Sequence, residues 1–108
     1  MLNLLDHGAY PNEKDDRGMT PLMTAASKGQ TNIIQALLVR GADVNAANHK
    51  GMTSLMFASM EGKVDVVKLL VTHGANINEK TKVGGLTALS LAKSADISSF
   101  LKSAGAYA

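Results

Sequence analysis

The sequence predicts an all-α solenoid: helix–turn–helix units stacked in a row and joined by β-turn or hairpin-like loops. Two observations carry this expectation. The chain contains one stretch twice, since residues 18–45 (GMTPLMTAASKGQTNIIQALLVRGADVN) and 51–78 (GMTSLMFASMEGKVDVVKLLVTHGANIN) align without a gap at an offset of 33, with 11 of 28 positions identical. Self-similarity at a fixed period of roughly 20–50 residues is the mark of a stacked-repeat architecture. Within each copy the apolar residues recur at helical spacing. Ile33, Ile34, Leu37 and Leu38 form one broad stripe on a helix.

The chain begins in the middle of a unit. Leu4 and Leu5 match Leu37 and Leu38 one period earlier, so residues 2–8 read as the second helix of a repeat whose first helix is absent. Either the sequence is a piece of a longer array, or the protein starts on half a repeat. Residues 13–18 (EKDDRG) are polar and end in Gly, a turn signal between repeats. Thr20-Pro21 then opens a helix expected over 21–28: Thr caps free N–H groups, and Pro lacks only an N–H that would go unused there. Leu22, Ala25 and Ala26 give it a narrow apolar face that lets neighbours come close, and Gly29 ends it by tolerating positive φ. A second helix is expected over 31–40, stopped by Gly41.

The next unit repeats the plan, with helices expected over 54–61 and 64–72, ended by Gly62 and Gly74. The last unit departs from register. Val83-Gly84-Gly85 holds one extra residue, and the turn after Ala92 is about three residues shorter, so helices are expected over 88–94 and 96–103, with Asp96 as N-cap of the second. Ser98, Ser99, Lys102 and Ser103 give that helix a polar outer face, which a terminal repeat needs to end the stack without aggregating. Asn12, Asn45 and Asn78 recur one period apart and read as turn residues bonding their own backbone.

Composition bounds the function. The 108 residues make one domain, 1–108, with units at 1–14, 15–47, 48–80 and 81–108. A formal charge of +2, spread along the chain, demands neither nucleic acid nor a membrane surface as partner. Without Cys there is no disulfide, thiolate or Cys-ligated zinc. The start, MLNLLDHG, lacks the charged head and apolar core of a signal peptide, and no apolar run reaches the ~20 residues of a membrane span. The expectation is therefore a cytoplasmic protein. Histidines 7, 49 and 73 have no ligand spacing, and His7 and His73 each precede a helix-ending Gly, where they would cap the negative helix end. Glu13, Asp15 and Asp16 are interleaved with Lys14 and Arg17, a solvated charged tip rather than an acid–base pair or cation site. The glycines at 84 and 85 lack the Lys-Ser/Thr of a phosphate loop. No catalytic residue, metal or cofactor is implied.

From Leu2 to Ala106 the chain resembles an ankyrin-repeat protein. The family pattern, G-x-T-P-L-H-x-A-A-x-x-G-x-x-x-V-V-x-L-L-L-x-x-G-A-D-x-N, appears here as Gly18, Thr20, Pro21, Leu22, Ala25, Ala26, Gly29, Ile33, Ile34, Leu37, Gly41, Ala42, Asp43 and Asn45. One departure stands out: the family His after TPL is Met23, Met56 and Ser90, so its usual bonds to neighbouring loops are expected to be missing.

The resemblance implies a protein-binding module whose concave face is built from turn tips and the exposed side of the first helices. Carried over by position, that face holds Lys14, Asp16, Arg17, Met19, Ser27 and Lys28, then Ala47, His49, Lys50, Met52, Met60 and Glu61, then Lys80, Val83, Leu86 and Ser94. Met19, Met52 and Leu86 share one repeat position and form an apolar row edged by charge; Met adapts well to varied partners. The plainer alternative is that these side chains only cover the root of each turn. A second functional expectation is a structural or self-associating piece, whose exposed end at Leu22 and Ala25 packs on another copy or on upstream repeats.

Overall fold

The computed structural model describes residues 11–106. Six helices lie among these residues: α1 Pro21–Lys28, α2 Thr31–Val39, α3 Ser54–Met60, α4 Val64–Thr72, α5 Ala88–Leu91 and α6 Ala95–Ser103. They pair as α1/α2, α3/α4 and α5/α6. The first helices stack directly, α1 on α3 and α3 on α5, which makes them the inner layer of a body 40 × 26 × 19 Å across. No strand forms among the described residues, and the one β-bridge, Ala47 with Thr53, closes a hairpin-like finger between repeats.

Each first helix starts on a threonine for the same reason. Thr20, Thr53 and Thr87 sit in extended backbone, and their hydroxyls accept from the N–H groups of Met23, Met56 and Ser90. This satisfies one of the orphan donors of a helix N-terminus. At the position where the family carries His, two of the three substitutes, Met23 and Ser90, complete that cap. The Met23 sulfur accepts from the Thr20 N–H at 3.5 Å, and the Ser90 hydroxyl accepts from the Thr87 N–H at 2.7 Å.

The core is aliphatic. Leu22, Ala25, Ala26, Ile34, Leu37, Leu55, Met56, Ala58, Val66, Val67, Leu70, Ile97 and Leu101 are all at most 1% exposed and form one cluster across the repeats. Ala25, Ala26 and Ala58 hold little volume, so α1 and α3 approach closely.

Four expectations need correction. The open apolar end at Leu22 and Ala25 is absent: both are 0% exposed, drawn into the shared cluster, and Leu4 and Leu5, which that idea also involved, lie outside the described residues. Helix α5 stops at Leu91 rather than residue 94, because Ala92 turns to an extended ψ of 124°. Ser94, not Asp96, caps α6, its hydroxyl accepting from the Ile97 N–H at 3.4 Å. Asp96 lies instead in the first turn of α6, where a carboxylate meets the positive end of the helix dipole. The recurring asparagines bond the following repeat rather than their own turns. Asn12 donates to the Gly41 carbonyl at 3.0 Å, Asn45 to Gly74 at 3.2 Å and Asn78 to Gly105 at 3.2 Å. The oxygens of Asn12 and Asn45 accept in turn from the N–H groups of Asp43 and Asn76. A side chain reaching forward by a whole repeat is invisible to local turn rules.

Candidate partner-binding face

The fingers between repeats are fixed from inside by one residue each. The Asp15 carboxylate accepts from the N–H groups of Arg17 and Met19, both at 2.9 Å. One period later the Asn48 amide oxygen accepts from Lys50 at 2.9 Å and Met52 at 3.0 Å. In the last finger Thr81 takes over, accepting from the Leu86 N–H at 3.0 Å and donating to the Val83 carbonyl at 2.8 Å. These bonds, to Met19 first and Arg17 second, lower the Asp15 pKa below the usual carboxylate value, aided by the charge of Arg17. Asp15, although exposed, therefore holds the finger together, and the equally exposed Asp16 beside it faces the groove described next.

Successive fingers also bond to each other. The His49 N–H donates to the Arg17 carbonyl at 3.0 Å, and the Lys82 N–H to the Lys50 carbonyl at 3.0 Å. Gly18 and Gly51 make this contact possible. A Cβ on Gly18 would lie 2.8 Å from His49 Cδ2 and 3.0 Å from its backbone nitrogen, and one on Gly51 would lie 2.9 Å from the Lys82 nitrogen. Lys14 adds a bridge, its Nζ donating to the Ala47 carbonyl at 3.1 Å.

Between the first two fingers lies a groove of ≈ 560 Å³. It brings together Asp16, Arg17, Met19, His49, Lys50, Met52 and Met60, with Asn48 and Phe57 completing the lining. Met19 and Met52 are half-buried and Met60 is 37% exposed, while Asp16, Arg17, His49 and Lys50 are exposed at the rim. A second groove of ≈ 370 Å³ between the next two fingers is lined by Lys50, Met52, Thr81, Val83 and Leu86. Val83 is 85% and Leu86 41% exposed.

The remaining candidates stand apart. Ser27 and Lys28 lie at the end of α1, Glu61 caps α3 with its backbone, and Lys80 is exposed at the root of the last finger; none lines either groove. Phe57 had a usable signal in the sequence, for it lies three residues before Met60 on the same helix face. Asn48 had none beyond its match to Asp15. His73 behaves as a helix-end residue, its Nδ1 2.9 Å from the Leu69 carbonyl, and His7 lies outside the described residues. Among the described residues no three His, Cys, Asp or Glu gather as metal ligands, and no helix is long and apolar enough to cross a membrane.

The stacked helix pairs, the finger hairpins and the forward-reaching asparagines define a repeat protein that offers a surface rather than a pocket. The chain belongs to the ankyrin-repeat family: the family model described as ankyrin repeats (3 copies) matches residues 1–81 and 33–106. Ankyrin repeats are generally protein–protein interaction modules and typically non-catalytic. A search of the curated proteins finds no match.

Proposed function

We infer that this chain is a non-catalytic binding module that holds a partner protein along its concave face, across the row Met19, Met52 and Leu86. The observation that supports the reading is the first groove. Its floor of Met19, Met52, Phe57 and Met60 is apolar and deformable, and its rim carries Asp16, Arg17, His49 and Lys50. Contiguous exposed apolar surface edged by charge is the usual anatomy of an interface, with burial giving affinity and rim charges giving register.

The test is charge reversal at the rim. For a partner recovered with the wild-type chain, Arg17→Glu together with Lys50→Glu should weaken binding by about two- to thirtyfold, taking roughly 0.2–1 kcal/mol per exposed pair. Both side chains are exposed, so the melting temperature should stay nearly unchanged. Unaltered affinity would move the binding surface to the outer helices or the ends of the stack.

A further inference from the structure

The two grooves are not independent. Lys50 and Met52 line both, so the second finger is a ridge with an apolar hollow on either side. The ridge itself carries positive charge and no carboxylate of its own, Asp16 standing on the neighbouring finger across the first groove. Between Asp43 and Glu61 the sequence holds no carboxylate, and between Glu79 and Asp96 there is none either, whereas the first finger carries Glu13, Asp15 and Asp16. Lys50 and Lys82 are exposed, their fingers are joined by the backbone bond between them, and no ion pair engages either side chain among the described residues.

Resting on the binding role proposed above, the geometry points to the chemistry of the partner: a segment with two large apolar side chains on one face and a carboxylate between them. The hollows are one repeat apart, and directly packed helices such as α1, α3 and α5 lie roughly 8–10 Å apart. Two anchors must therefore be separated by about 10 Å. In an extended chain of three residues per turn, positions i and i+3 lie about 9 Å apart on one face. On a helix the spacing is met by i and i+7, about 10.5 Å. A strand meets it poorly, since same-face residues fall at roughly 7 or 13 Å. Either permitted geometry leaves room between the anchors for an Asp or Glu within reach of the Lys50 ammonium. A Lys or Arg there would meet like charge with no carboxylate on that finger to relieve it.

The experiment uses a phage-displayed library of random dodecapeptides selected on the full chain. Enriched peptides should pair two large apolar residues, three or seven apart, with an acidic residue between them. Met52→Glu should reduce their binding at least tenfold. Lys50→Glu should reduce it about two- to fivefold, and replacing the peptide's acid by Lys should restore it on that variant. Peptides that need Met52 but show no acid preference, or ignore Lys50→Glu, overturn this inference and leave the binding face standing. Peptides indifferent to Met52→Glu, or no enrichment at all, overturn both. Circular dichroism of each variant, read against wild type, separates loss of contact from loss of fold.

Discussion

Asp15, Asn48 and Thr81 do one job with three different side chains, each holding its finger by accepting the backbone N–H groups that follow. The comparison makes Asp15 testable. Its folded pKa is lowered, chiefly by the Met19 and Arg17 N–H groups, so its contribution to stability is present above the unfolded value of 3.8 and is lost as pH falls through the lower folded value. Asp15→Asn should keep the turn, as Asn48 does natively, and flatten the acid limb of a plot of melting temperature against pH. Asp15→Ala should lower stability at neutral pH as well. Gly18 offers a second test at this scale. It has φ of 81° and no room for a Cβ beside His49, whereas Gly41 has φ of 93° and nothing within 4 Å. Gly41→Ala therefore meets only the backbone penalty, about 1 kcal/mol, while Gly18→Ala adds a collision and should cost about 2–3 kcal/mol. In thermal melts the difference should appear as roughly 4–8 °C per kcal/mol. Equal losses would mean that the fingers do not pack as tightly as the Gly18–His49 approach requires.

At the level of elements, the two central helix pairs were legible because apolar spacing, a threonine cap and a terminal glycine agree at each of them. α1 and α4 match their expected bounds, and α2 and α3 end one residue early, where Arg40 and Glu61 act as C-caps. The last pair was less legible. Ser94 and Asp96 are both good caps, and the choice depends on where Ala92 leaves the helix, which sequence spacing does not set. Ser94→Ala should therefore cost about 1 kcal/mol, and Asp96→Ala less, about 0.3–1 kcal/mol, as a dipole interaction alone. Urea unfolding of the two variants checks the order, and a larger loss for Asp96→Ala would reinstate it as the cap. The groove was partly legible. The repeat position shared by Met19, Met52 and Leu86 located its floor, but Phe57 faces a Thr at the matching position of the previous repeat and so breaks the pattern that led to the others. Asn12, Asn45 and Asn78 were visible as a period and misread in role, because their partners lie 27–31 residues away.

Over the whole molecule, each repeat touches its neighbours through small inner helices and through finger-to-finger backbone bonds, so the concave side is continuous and the grooves follow from the stacking itself. The convex side provides the control. Val39 on α2 is 87% exposed, more than any member of the apolar row, yet it lines neither groove. A photo-crosslinking residue placed at Met60 or at Val39, in otherwise identical full-length chains irradiated with the partner present, decides between the faces most directly. The concave reading predicts adducts from position 60 and none above background from position 39, although exposure alone favours position 39. Adducts from position 39 with none from position 60 would contradict it.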